Sequence, residues 1–166
     1  MKYATTFGSS TSVDDKLYSE GVELGKFLAG LGYTVKCGGY LGLMEAVSRG
    51  VREAGGKVIG ICLEAFEALR QNNPYLTEKI VARDLFERLK LLIEGSELFV
   101  VQKGSIGTLN ELFMVWALKY SLGFKFRIAL IGEHYNELKE CQFIDPHTLA
   151  HLEFYSTLEE FKESFK

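Results

Sequence analysis

No stretch of this chain stays apolar long enough to cross a bilayer, so no membrane is expected as a partner. The opening Met-Lys runs into a strand-like segment rather than a secretion signal. The three cysteines, Cys37, Cys62 and Cys141, are widely spaced and form no C-x-x-C pair, which fits a reducing cytoplasm. Neither sign of charge dominates: 19 Lys and Arg stand against 22 Asp and Glu, a net −3. Nothing therefore suggests a nucleic-acid polymer or an anionic membrane surface as partner. Any phosphate site has to be made locally, by backbone amides and a few cations. Repeats, low-complexity tracts and linkers are missing too, so residues 1–166 are expected to form one domain with a substantial core. Two nucleotide fingerprints are also absent. Without GxxxxGK[ST] there is no P-loop, and without GxGxxG after the first strand a dinucleotide site has no support.

What is present is an alternation of short apolar runs with amphipathic helical stretches, the pattern of a parallel sheet with crossover helices. Strands are expected at Lys2–Phe7, Thr34–Cys37, Lys57–Cys62, Ile80–Ala82, Glu97–Val101 and Phe126–Ile131. Leu98 to Val101 and Ala129 to Ile131 are apolar without alternation, as in strands covered on both faces. Helices are expected over Val13–Leu31, Leu43–Ala54, Leu85–Glu94 and Thr108–Leu122, with a short one after Thr157. Start signals are Ser12 and Asp15 for the first, Asp84 with Glu87 for the third, and Thr157 with Glu160 for the last. Residues 64–76 and 141–152 are the least regular and read as a lid or a surface excursion. The fold class that follows is α/β: a three-layer, Rossmann-like fold, mainly parallel, with helices on both faces of the sheet.

In such a sheet ligands lie beyond the carboxyl ends of the strands. Three strand-to-helix turns there are rich in small residues: Gly8-Ser9-Ser10, Cys37-Gly38-Gly39-Tyr40-Leu41-Gly42, and Lys103-Gly104-Ser105-Ile106-Gly107-Thr108. Glycine lets the backbone approach a ligand, and the helix that follows offers unpaired N–H groups to an anion. Each turn alone reads as a tight turn. Three on one edge read as a phosphate cradle, and a mononucleotide is the expected ligand.

Three segments resemble the LONELY GUY family, the cytokinin riboside monophosphate phosphoribohydrolases long labelled lysine decarboxylases. They are Gly38-Gly39-Tyr40-Leu41-Gly42-Leu43-Met44-Glu45-Ala46, Gly55-Gly56-Lys57-Val58-Ile59-Gly60-Ile61, and Gly104-Ser105-Ile106-Gly107-Thr108-Leu109-Asn110-Glu111. The likeness runs from about Tyr3 to the final helix. The family's PGGxGTxxE element corresponds to Lys103 through Glu111, with Lys103 in place of the proline and Ser105 in place of the second glycine. Its MHxRK element reads Leu85-Phe86-Glu87-Arg88-Leu89, so the arginine survives while the histidine and lysine do not. The resemblance implies that Glu111 and Arg88 are a catalytic pair, and that Gly38, Gly39, Gly42, Met44 and the 103–108 turn hold the nucleotide together with Gly8, Ser9 and Ser10.

Read from the residues alone, Thr108-x-x-Glu111 is also a capping box that would occupy its own helix start. Arg88 lies on the flank of its helix's apolar stripe, where pairing with Asp84 or packing of its stem also accounts for it. His147, His151 and Cys141 read as surface rather than as a closed metal site, and no metal or cofactor is expected. Phe113, Val115, Trp116, Tyr120 and Leu122 make the fourth helix apolar on more than one face, which fits a buried helix or a homodimer interface; the family's habit of pairing favours a homodimer or a higher homo-oligomer. Two functions are carried forward. One is hydrolysis of the N-glycosidic bond of a nucleoside 5′-monophosphate such as AMP. The other is non-catalytic carriage of a nucleotide or a molybdenum-cofactor-like ligand, which the altered 103–105 loop favours.

Overall fold

The computed structural model describes residues 1–166. One seven-stranded sheet runs through it: β1 (Lys2–Phe7), β2 (Tyr33–Cys37), β3 (Val58–Leu63), β4 (Glu78–Ala82), β5 (Ser96–Val101), β6 (Arg127–Ile131) and β7 (Glu153–Tyr155). The spatial order is β4-β3-β2-β1-β5-β6-β7, and every neighbouring pair is parallel. Strand order reverses between β1 and β5, so the turns after these two strands diverge and leave a crevice at their carboxyl ends.

The strands sort their side chains into two cores. Ala4, Leu98, Val100, Ala129 and Ile131 point to one face, and Phe7, Phe99, Val101, Ile128 and Leu130 to the other. The first face is covered by α1 (Asp15–Gly30), α2 (Leu43–Glu53) and α6 (Leu158–Glu163), the second by α4 (Leu85–Ile93) and α5 (Ile106–Leu122). A four-residue α3 (Glu64–Glu67) follows β3, and two 3-10 segments span Glu133–Glu140 and Pro146–His151. The expected three-layer α/β architecture is the one observed.

Several details depart from the expected pattern. β7 was not anticipated, because three residues are too few for a periodicity. It is pinned by Glu153, which accepts two hydrogen bonds from Arg127 on β6, at 2.6 Å from Nη2 and 2.9 Å from Nε. The cap of α1 is Asp14, which accepts from Leu17 N at 2.8 Å, rather than Ser12 or Asp15. Ser12 has a φ of 56°, whereas an N-cap residue needs extended backbone. Asp84–Glu87 and Thr157–Glu160 form the expected boxes: each N-cap accepts from the N–H three residues on, and each glutamate accepts from the N–H of the residue before its N-cap. α5 starts at Ile106, so Ile106 and Gly107 belong to its first turn rather than to the preceding loop.

α4 is anchored to the sheet through its C-terminal carbonyls. Thr5 Oγ1 on β1 donates to Leu92 O at 2.6 Å, and Lys36 Nζ on β2 donates to Leu91 O at 2.9 Å and also to Glu94 O. A cation at a helix C-terminus is favourable, and it makes a largely buried lysine tolerable. Burial holds the Lys36 pKa below the ordinary lysine value.

α1 and α2 pack with their backbones in near contact. A Cβ at Gly25 would fall 2.1 Å from Val47 O, and one at Gly50 would fall 1.9 Å from Val22 O. These are backbone atoms that cannot rotate away. Gly25→Ala and Gly50→Ala are each expected to lower the unfolding free energy by about 1–3 kcal/mol in urea titrations. Gly30→Ala, at the end of α1 with no atom within 4 Å of the added methyl, is expected to be neutral or stabilising by up to about 1 kcal/mol. Equal losses at all three would contradict this packing.

Candidate functional site

The crevice between β1 and β5 opens into a cavity of about 510 Å³. Its walls come from the turn after β1 (Gly8, Ser9, Ser10), the first turn of α5 (Ser105 to Thr108, then Asn110 and Glu111), Gly38 and Met44 around the start of α2, and Arg88 of α4. The turns are bonded to one another. Ser9 N donates to Lys103 O at 2.9 Å, and Leu43 N donates to Ser9 O at 2.9 Å.

The first turn of α5 has no side-chain cap. Ser105 is its N-cap residue but bonds none of the helix amides, and the first intrahelical bond runs from Leu109 N to Ser105 O. The N–H groups of Ile106, Gly107 and Thr108 therefore face the cavity end without protein partners, at the positive end of a 17-residue helix. This is the physical requirement for an anion site.

Glu111 lies one turn further along. It does not complete a capping box with Thr108, which is buried inside the helix rather than placed at its N-cap. The carboxyl accepts no hydrogen bond from the protein. Leu85, Leu89 and Leu92 line a small recess beside it, shared with Arg88. Burial pushes the Glu111 pKa up to about 7, against a smaller opposing pull from the Arg88 charge.

Arg88 is held on the other wall. Its Nε donates to Ile61 O at 2.9 Å and its Nη2 to Gly38 O at 2.7 Å. The guanidinium carbon lies 5.7 Å from the centre of the Tyr40 ring. Asp84 is not its partner, since that side chain is committed to Glu87 N. Gly38 makes this arrangement possible: a Cβ there would fall 2.5 Å from both Arg88 Nη2 and Met44 Sδ. Nη1 makes no protein hydrogen bond and is free for a ligand.

Four of the residues expected to bind lie outside the cavity wall. Gly39 and Gly42, with φ of +83° and +70°, shape the turn from behind, packed on Cys62 Sγ and on Ser9 O. Gly104 packs on Thr108, where a Cβ would fall 2.0 Å from Oγ1. Lys103 is exposed and turned towards His134, whose pKa is lowered by burial and then by the Lys103 charge. Phe86, in place of the family histidine, is 86% exposed and lines a separate groove. His147 pairs with Asp145 at 2.6 Å, and no three His, Cys, Asp or Glu side chains lie close enough to share a metal ion.

Reading the sequence missed Phe66, Arg70, Leu85 and Asn110 on the cavity wall. Asn110 was within reach, one helical turn from Gly107. Phe66 and Arg70 come from the irregular 64–76 stretch, whose path no periodicity reveals.

Comparison with known proteins finds a matching family model and solved structures of the same fold. Residues 2–143 match the SLOG cluster4 family. A 99-residue stretch is 33% identical to the cytokinin riboside 5′-monophosphate phosphoribohydrolase of Mycobacterium tuberculosis, covering 59% of this chain and 53% of that protein. The chain thus spans about half the length of that relative. The X-ray structure of TM1055 superposes with a TM-score of 0.78 at 29% identity, over 99% of this chain and 98% of the other. The molybdenum cofactor binding protein of Rippkaea orientalis shares the fold, with a TM-score of 0.75 at 21% identity over 99% and 94% of the two chains.

The raised pKa of Glu111 makes a stability prediction. Ionising this carboxyl costs only the folded state, so its effect on stability worsens as pH rises from about 4.5 towards 7 and levels off above. Glu111→Gln removes that cost. Its melting temperature should exceed the wild-type value by on the order of a few degrees at pH 8, with a much smaller gap at pH 4.5. A gap independent of pH would show that the carboxyl is not desolvated.

Proposed function

The chain belongs to the SLOG cluster4 family, among the LONELY GUY proteins, and from that membership we propose that it hydrolyses the N-glycosidic bond of a nucleoside 5′-monophosphate such as AMP. The products are the free base and ribose 5-phosphate. The observation that carries this reading is a desolvated carboxyl, Glu111, facing an anchored arginine, Arg88, one helical turn from a free helix N-terminus.

The 5′-phosphate rests on the amides of Ile106, Gly107 and Thr108, with the hydroxyls of Ser9, Ser10 and Ser105 around it. Three residues of helix, about 4.5 Å of rise, then bring Glu111 alongside the ribose. Breaking the C1′–N bond leaves positive charge on the sugar, which the Glu111 carboxylate stabilises while orienting a water. The water oxygen bonds to C1′, and the C1′–N electron pair leaves with the base. The proton taken by Glu111 is returned to the departing base. Arg88 faces the base end, where its fixed charge favours departure of an electron-rich group.

Carriage without turnover is the second reading, favoured by the altered 103–105 loop, with Lys103 and Ser105, and by the replacement of the family's histidine and lysine by Phe86 and Leu89. Phe86 and Lys103 lie outside the cavity wall, whereas Ser105 lines it and Leu89 lines the recess shared by Arg88 and Glu111. The unpaired thiols Cys37, Cys62 and Cys141 fit a cytoplasmic setting, as proposed from the sequence.

A homodimer is proposed through α4 and α5. Leu85, Phe86, Ile106, Phe113, Met114, Tyr120, Leu122 and Phe124 are all exposed on these helices and the loop that follows, and Phe86, Met114 and Phe124 line a groove of about 690 Å³. A surface of this kind is stable in water when a second copy covers it. Val115 and Trp116 are buried in the core, with the Trp116 ring stacked on that of Phe113 at 5.9 Å.

Base release from AMP, followed by chromatography, is expected for the wild-type protein. It should fall at least about a hundredfold in Glu111→Gln. Since the ionised carboxylate is the active form, kcat/KM should rise with pH to a plateau above about 7. Binding of AMP without base release would establish the carrier instead. Light scattering should give twice the chain mass, and Phe86→Glu should return the monomer; a wild-type monomer would refute the pairing.

A further inference from the structure

One charged side chain on the cavity wall has no role in the hydrolytic scheme. Arg70 follows α3 and lines both the main cavity and a side lobe of about 250 Å³, which Ser10, Thr11, Tyr40, Leu41 and Gln71 complete. Its guanidinium lies 3.9 Å from the centre of the Phe66 ring and 5.5 Å from that of Tyr40. Close by, Lys79 and Glu67 are paired with each other at 2.5 Å. Arg70 has neither a carboxylate partner nor a side-chain hydrogen bond.

The segment that carries it is firmly held. Asn73 is buried and donates to Ser48 Oγ at 3.0 Å and to Met44 O at 3.3 Å, while its own Oδ1 accepts from Tyr75 N. Thr77 exchanges two hydrogen bonds with the backbone of Val58. Tyr40 Oη bonds Leu63 O and Glu67 Oε1, which ties down the other end. Arg70 is thus presented by an anchored arch, with one face stacked on an aromatic ring. Stacking leaves the in-plane N–H groups of a guanidinium available, in the fork geometry that matches a phosphate.

Charge balance gives the occupant. The cavity wall carries two arginines, Arg70 and Arg88, and one carboxyl, Glu111. A monophosphate seated on the α5 amides leaves Arg70 facing an unfilled lobe on the far side of Ser10. We propose that Arg70 and this lobe receive a second anionic group joined to the 5′-phosphate, so that the cavity takes ligands of the nucleoside 5′-diphosphate class. This rests on the reading that the first phosphate lies at the start of α5.

The test is calorimetric titration with AMP and ADP, run beside the base-release assay on AMP. The wild-type protein should bind ADP about tenfold or more tightly than AMP. Arg70→Ala should reduce that preference to about twofold or less by weakening ADP more than AMP, and Arg70→Lys should restore part of it. Equal affinity for the two nucleotides, or a variant that weakens both alike, overturns the assignment. If ADP is preferred through Arg70 but AMP is not hydrolysed, the assignment stands and the hydrolase reading fails. If AMP is hydrolysed without any preference for ADP, only the Arg70 assignment falls.

Discussion

The backbone of a single residue, Ser9, ties the site together. Its N–H is bonded to the turn after β5 and its C=O to the first amide of α2, so the loops following three different strands move as one body. Each loop is short and glycine-rich, and on its own would sample many conformations. The two bonds remove that freedom where the strand order reverses, and they leave the start of α5 pointing into the crevice with its amides unused. A chain with net charge −3 can in this way present a local patch of positive potential.

The second constraint is the placement of α4. Thr5 and Lys36 hold its last carbonyls from the sheet, and Arg88 reaches back to the carbonyls of Ile61 and Gly38. The helix therefore cannot slide, and its leucines remain against Glu111. Burial of a carboxyl without a hydrogen-bond donor is unfavourable to the fold, and it is this desolvation that brings the group's proton affinity near neutrality. Such groups concentrate at functional sites because chemistry at neutral pH needs them.

Much of the fold was legible in the chain. The apolar runs at Leu98–Val101 and Ala129–Ile131 read as strands buried on both faces, and the structure divides them between the two cores as alternation requires. The boxes at Asp84–Glu87 and Thr157–Glu160 were readable because capping is local chemistry. The failures were non-local. β7 exists because Glu153 meets Arg127 across 26 residues of sequence, and α5 begins early because Ser105 and the amides after it are placed by Ser9 and its neighbours. The turn motifs likewise mixed residues that line the cavity with residues that only shape it: Gly38 and Gly107 do the first, Gly39, Gly42 and Gly104 the second.

The sequence by itself determined the layered α/β class, the family, and the residue types available at the strand ends, because these follow from periodicity, composition and short motifs. Only the tertiary structure decided that Thr108 and Glu111 are not a cap, that Lys103 turns away from the cavity, and that Arg70 turns into it. Those outcomes depend on which side of a turn or arch a side chain occupies. That is set by packing against elements distant in sequence, such as Asn73 against α2 and Gly38 against Arg88, and no local signal encodes it.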